Sequence, residues 1–258
     1  DRLKVGGQIQ HGWSVGHSVY SDPKPVYVWS DRGAQQAAAV GVPGEATHLI
    51  GAPYLYLPPP PDVMDIGRIP SSLLALPQHS TSGHRFDDAY DTWHEYGRWL
   101  GQVREEAKLE QVTVCLHEND FNDFGVRLAL CRSGMCVATC GDARAMATTY
   151  LDRMRAFIIQ HTAVTSNAMG TALLYAAYEG RPVFIDGPPP RMTPVRNTPE
   201  NAFPEVSDPE WLTREFPGWQ GTWQSAMPHA ADAERELGAR YRRTPAELWS
   251  TVQMAVMP

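Results

Sequence analysis

Apolar positions fall along this chain in two alternating rhythms, short continuous runs and three-to-four-residue periodicities, and the alternation is most regular over residues 66–188. SSLLALPQH predicts a strand that stops at a turn. Residues 87–107 predict a long amphipathic helix, with Tyr90, Trp93, Tyr96 and Leu100 on one face. QVTVCLH (111–117) is a nearly continuous apolar strand of the kind found inside parallel sheets. A helix over 123–134 ends at Gly134, and MCVATCGD (135–142) predicts another buried strand. A helix over 147–160, a short strand over 162–167, a helix of small residues over 168–180 and a strand over 182–188 complete the series. This order implies an α/β fold, a doubly wound parallel sheet of the Rossmann type.

The flanks differ. In residues 1–57, VYVWSD (26–31) and THLIGAP (47–53) predict strands on either side of a short Ala-rich helix over 33–41. Strand, helix, strand implies parallel pairing through a crossover, and hence a partial second α/β domain. Four consecutive prolines open a stiff stretch, 58–65, which reads as a linker or as a rigid loop within one domain. Residues 189–258 lose the strand pattern and predict a helical C-terminal tail with helices over 208–216, 231–241 and 244–256. Asp208 and Thr244 read as N-caps followed by Pro, and Glu247 completes a capping box with Thr244. The chain begins at Asp1 and runs straight into a strand-like segment, which implies that the start of a longer protein is missing.

Composition narrows the function classes. With 258 residues, 43% hydrophobic and 20% charged, bulk disorder is excluded. No apolar run approaches the roughly 20 residues of a membrane span. No signal peptide is visible, which points to the cytoplasm. A formal charge of −7 excludes a general nucleic-acid binder, so any phosphate site must be local. Cys115, Cys131, Cys136 and Cys140 fit no common zinc spacing and are expected to be buried free thiols in a reducing compartment.

In an open α/β sheet, ligands bind beyond the carboxyl ends of the strands. The residues there are Gln10-His11-Gly12, Gln78-His79-Ser80-Thr81, His117-Glu118-Asn119-Asp120, Gly141-Asp142, Thr165-Ser166-Asn167 and Asp186-Gly187. Thr165-Ser166-Asn167-Ala168-Met169-Gly170-Thr171 leads from a strand into a helix. Its N–H groups and dipole favour an anion, and capping alone is the plain alternative. His79 beside two hydroxyls suits a phosphate or a sugar, and His11 suits a base or an electrophile. A turn with a solvated histidine explains each of these loops equally well. His117-Glu118-Asn119-Asp120 is consecutive rather than convergent, which is poor geometry for a metal. No Gly-x-Gly-x-x-Gly, Walker loop, Gly-x-Ser-x-Gly elbow or His-Glu-x-x-His occurs. An Asp-x-Asp loop is absent too, which favours metal-free stabilisation of a leaving phosphate.

Taken in order, His11-Gly12, VWSDR, IGAP, LPQHST, VTVCLH, VATCGD and HTAVTSNAMGTALLYAAYEGRPVFIDGP resemble the C-terminal two-thirds of GT-B-type glycosyltransferases that build bacterial surface and capsular polysaccharides. The layout is also similar, more distantly, to CDP-glycerol glycerophosphotransferases. Thr165-Ser166-Asn167 stands where those enzymes carry an Asp-(aromatic)-Ser-Ser turn, with Asn167 in place of a hydroxyl. The resemblance implies a GT-B-like fold and an enzyme that moves a sugar from a CMP-, UDP- or CDP-linked donor to a glycan or lipid-linked acceptor. No permanently bound cofactor and no metal are implied, and peripheral contact with the inner face of the membrane is in keeping with such acceptors. His11 and His79 are then the expected catalytic groups. Ser80, Thr81, His117, Thr165, Ser166, Asn167, Gly170 and Thr171 are the expected donor contacts. A polyol-phosphate transferase, a nucleotide-sugar epimerase and a non-catalytic nucleotide-binding module are the alternatives.

Overall fold

The computed structural model describes residues 8–10, 25–59, 67–80, 84–86, 88–141, 147–189, 191–194 and 208–254. The chain divides into two compact units, Asp1–Leu57 with Ala231–Pro258, and Pro58–Ala230.

The first unit opens with three parallel strands in the order β1 (Gln8–Ile9), β2 (Val26–Val28) and β3 (Thr47–Leu49). Helix α1 (Asp31–Ala39) makes the crossover, starting where Ser30 leaves the extended conformation. Val26, Val28, Ala37 and Val42 form a small core between sheet and helix.

The second unit runs β4 (Ser72–Ala75), β5 (His84–Phe86), α2 (Ala89–Glu106), β6 (Gln111–Leu116), α3 (Glu118–Phe121), α4 (Phe124–Arg132), β7 (Cys136–Thr139), α5 (Ala147–Gln160), β8 (Ala163–Ser166), α6 (Thr171–Tyr178) and β9 (Val183–Ile185). It continues through β10 (Met192–Pro194) and α7 (Pro209–Glu215). Five of its strands form one parallel sheet in the order β7-β6-β4-β8-β9. Counted along the chain this is 3-2-1-4-5, a doubly wound order, and the α/β expectation holds. Alternation along the strands assigns the two faces. Leu73, Ala75, Val112, Val114 and Leu116 share a core with Trp93, Tyr96 and Leu100 of α2 and Val126 and Leu130 of α4. The alternate residue Thr113 turns to the opposite face and meets His161, one residue past α5, at 2.9 Å.

The helix expected over 123–134 forms as α4, capped by Asp123, which accepts from Gly125 N–H at 2.7 Å and Val126 N–H at 3.3 Å. Two other expectations are corrected. The helix expected from 168 begins at Thr171, with Gly170 extended before it. The strand expected to be buried over 135–142 is an edge strand. Among the described residues β7 pairs with β6 alone, and Cys136 is exposed. The buried-thiol expectation therefore fails for Cys131 and Cys136. It holds for Cys115 and Cys140, whose sulfurs lie 3.6 Å apart.

Residues 189–258 do not behave as one tail. β10 pairs antiparallel with β5. The stretch after α7 closes the outer edge of β9, through Ile185 N–H to Trp219 O at 2.7 Å and Val183 N–H to Met227 O at 3.0 Å. Helices α8 (Ala230–Leu237) and α9 (Pro245–Met254) return to the first unit, where Ala52 N–H donates to Leu237 O at 2.8 Å. The capping box before α9 forms as read: Thr244 N–H donates to Glu247 Oε2 at 2.8 Å, and Glu247 N–H to Thr244 Oγ1 at 3.3 Å.

Candidate functional site at the strand ends

β4 leaves the sheet for a local reason. Leu76 N–H still bonds to Thr165 O at 2.8 Å, but Pro77 has no N–H to continue the ladder. Gln78, His79 and Ser80 therefore pass over the sheet edge. β8 ends beside it, with Asp186 N–H bonded to Ser166 O at 3.0 Å. Between β4 and β8 the strand order reverses, and a crevice opens at such a point. Asn167 spans it. Its Oδ1 accepts from Gln78 N–H at 3.0 Å, and its Nδ2 donates to Pro188 O at 3.0 Å. One carboxamide thus ties together the exits of β4, β8 and β9. A hydroxyl, with a single donor hydrogen and a shorter reach, suits this double task less well.

On the β6 side, Ser80 joins Asp120 twice, through N–H to Oδ2 at 2.9 Å and Oγ–H to Oδ1 at 2.5 Å. Asp120 is buried, and burial pushes its carboxyl up; the bonds from Ser80 and the charge of His79 pull it the other way. The rings of His79 and His117 stack with centroids 4.3 Å apart and planes at 14°. Their hydrogen bonds place the ring protons. His79 Nδ1 faces Ser80 O at 2.8 Å, and a carbonyl only accepts, so Nδ1 carries a proton. His117 Nδ1 accepts from Asn119 N–H at 3.3 Å, so its proton sits on Nε2.

His79, Ser80, His117 and Asn167 are thus gathered along the ends of β4, β6 and β8. Two other expected contacts also bond within the fold: Thr165 Oγ1 donates to Phe184 O at 3.1 Å, and Ser166 Oγ accepts from Ala168 N–H at 3.3 Å, which leaves the Ser166 hydroxyl hydrogen to donate elsewhere. Gly170 precedes α6, and a Cβ there would meet nothing within 4 Å, so that side of the turn is open. Thr171 is the first residue of α6 and half-buried. His11 and Thr81 lie outside the described residues, as do residues 60–65 of the proline-rich stretch.

A shallow cleft open to solvent adjoins this crevice. Its apolar walls are Phe86, Trp93, Tyr96, Pro188 and Pro189, and Gln78, Thr92 and Asn167 are on its polar side. Gln78 Oε1, Trp93 Nε1 and the Tyr96 hydroxyl are buried without a hydrogen-bond partner. Each such orphan costs about 1–3 kcal/mol. Burial, and next the charge of Asp186, push the Tyr96 phenol far up. Sequence reasoning assigned Trp93 and Tyr96 to a helix face and missed this. Helical periodicity marks which residues are buried, not whether their polar atoms find partners.

Among the described residues, no group of three or more His, Cys, Asp or Glu side chains can hold a metal ion, and no helix is long and apolar enough to cross a membrane. No protein-family model and no curated protein matches the chain. Among solved structures it is similar to UDP-GlcNAc 2-epimerase from Neisseria meningitidis bound to UDP-GlcNAc, at 12% identity and a TM-score of 0.40, over 90% of this chain. The chain spans 60% of that structure's length.

Proposed function

We propose that this chain is a metal-independent glycosyltransferase that takes a nucleotide-activated sugar at the strand ends of its five-stranded sheet and passes the sugar to a growing surface glycan. The observation that carries the reading is the clustering of His79, Ser80, His117 and Asn167 along the reversal of strand order. Two stacked imidazoles supply ring N–H groups over a short span. Nε2–H of His117 donates to a phosphate oxygen of the leaving nucleotide. His79, beside it, helps to neutralise the same phosphate. Asp120 holds the loop that carries His79 through its two bonds with Ser80, so it is a positioning residue. The turn over 167–171 directs N–H groups and the positive end of α6 toward the same anion. Most of the rate comes from positioning and electrostatics. His11 is proposed to face the acceptor.

The test is calorimetry of the full chain with CMP-, UDP-, CDP- and GDP-linked sugars, followed by assay of nucleotide release with and without an acceptor glycan. The double variant His79→Ala, His117→Ala is expected to weaken donor binding by about 10–100-fold, the effect of losing charge-assisted hydrogen bonds. His11→Ala should leave donor affinity unchanged and abolish transfer. The reading is overturned if none of these nucleotides binds. Conversion of the bound sugar without an acceptor replaces transfer with epimerisation.

A further inference from the structure

The stacked rings at the ends of β4 and β6 share one constraint. Their centroids are 4.3 Å apart with planes at 14°, and two positive charges at that separation repel. One ring at most is therefore a cation near neutral pH, and the hydrogen bonds decide which. His117 caps α3, its Nδ1 accepting from Asn119 N–H at 3.3 Å. A proton on that nitrogen would end the bond, so His117 stays neutral. His79 Nδ1–H donates to Ser80 O at 2.8 Å in either charge state. Among the described residues no hydrogen bond engages its Nε2, and the side chain is exposed, so a proton from solvent reaches Nε2 and breaks nothing. Besides His117, the charged groups around His79 are the carboxylates of Asp120, Glu118 and Asp123. Asp120 accepts from Ser80 at both oxygens and so remains a carboxylate near neutral pH, where its charge favours a cation on His79. Asp123 caps α4, and Glu118 is half-buried at the start of α3. Neither opposes a positive ring.

We propose that His79 holds the donor phosphate as an imidazolium stacked on a neutral His117, so that binding of a sugar nucleotide takes up one solvent proton at His79 Nε2. The proposal rests on the donor site described above and adds which ring carries the charge. Anion and proton then favour each other's binding by the same factor. The phosphodiester groups of a sugar nucleotide do not titrate near neutral pH, so a pH dependence there belongs to the protein. The experiment is calorimetry of the full chain with CMP-, UDP-, CDP- and GDP-linked sugars from about pH 6 to pH 8.5, in buffers of different ionisation heat. Affinity should fall as the pH rises, by at most about tenfold per pH unit, the limit for one proton. The heat should vary with the buffer in the sense of proton uptake. His79→Gln should bind more weakly, with no pH slope and no buffer dependence. His79→Lys, charged throughout this range, should also lose the slope but bind more tightly than His79→Gln at high pH. His117→Phe should bind more weakly and keep the slope. A wild-type affinity independent of pH, a slope that survives His79→Gln, or a slope lost in His117→Phe overturns the proposal and leaves the donor site standing. Absence of binding by every one of these nucleotides at every pH overturns both.

Discussion

The two units solve the same packing problem with different chemistry. The large unit lays an apolar parallel sheet between helices, and its core is rich in aromatic and branched side chains. In the small unit three short strands and α1 enclose Val26, Val28, Ala37 and Val42, and α8 and α9 belong to the same unit. Tyr27, Trp29, Tyr54 and Leu55 are buried there as well, and polar bonds to the returning C-terminal segment add to that packing. Arg32 Nε meets Glu236 at 2.7 Å, and the Tyr241 hydroxyl donates to Asp31 at 2.5 Å. Arg243 donates through Nε to Leu49 O at 3.2 Å and through Nη1 to Thr251 at 2.8 Å. The Tyr56 hydroxyl accepts from Arg243 N–H at 3.0 Å and donates to Ile50 O at 2.5 Å. Directional bonds of this kind fix which segment completes the unit, whereas an apolar face accepts many partners.

The comparison breaks most easily at Gly238. Its φ is +69°, and a Cβ there would lie 1.8 Å from Trp29 O. Neither a left-handed alanine nor that overlap is tolerable without backbone movement. Gly238→Ala is expected to cost more than about 4 kcal/mol. Hydrogen exchange should show lost protection in residues 26–57 and 231–254, with the amides of β4, β6 and β8 still protected. Equal loss across both sheets would show that the units do not differ in this way.

A smaller effect is expected from Arg32→Ala, which removes a partner from Glu236, 3% exposed in the intact pair, and leaves Arg235 Nε at 3.2 Å. Breaking a buried pair costs about 3–5 kcal/mol, and the second arginine reduces this to about 2–3. The double variant Arg32→Met, Glu236→Met should recover most of the loss in a urea melt. If it does not, the pair stabilises the unit outright rather than specifying its partner.

The same contrast explains what could be read from the chain. The β-α alternation of the large unit is a run of apolar strands and amphipathic helices, and periodicity reports burial directly. Local chemistry was equally legible at Thr244 and Glu247, three residues apart. The strand-end rule located His79, Ser80, His117 and Asn167 without coordinates, because Pro77 and the polar residues after each strand mark where the sheet stops. The return of α8 and α9 to the first unit was not legible. It rests on pairs such as Arg32–Glu236 and Asp31–Tyr241, separated by about two hundred residues, which leave no periodic trace. β5 and β10 were missed as three-residue strands, too short for alternation to show. The partner of Asp120 was missed because Ser80 lies forty residues away.

The smallest effect sharpens the contrast from inside the large unit. His161 is 1% exposed in that apolar interior. Its Nδ1 donates to Phe157 O at 2.7 Å, which leaves Nε2 to accept from the Thr113 hydroxyl at 2.9 Å. Thr113 Oγ1 in turn accepts from Gln111 Nε2 at 2.9 Å. Burial lowers the imidazole's pKa below its ordinary 6.5; the bond to Phe157 opposes this, and the Arg181 guanidinium adds to it. The folded state therefore holds the neutral ring more tightly than the unfolded chain does. Its contribution is complete above pH 6.5 and is lost as the pH falls through the lower folded value. One proton sets a ceiling of about 1.4 kcal/mol per pH unit on that slope. Urea melts between pH 7.5 and pH 5 should lose stability on acidification, and His161→Asn should flatten the slope while leaving the exchange protection of the small unit unchanged. Asp120 has the opposite sign, because its raised carboxyl favours the folded state at low pH. Combining His161→Asn with Asp120→Asn then separates the two contributions. An acid slope that persists in His161→Asn would move its origin to His48 of the small unit, whose imidazole is also held below its ordinary pKa by burial and next by the Arg243 guanidinium, and His48→Asn would then flatten it.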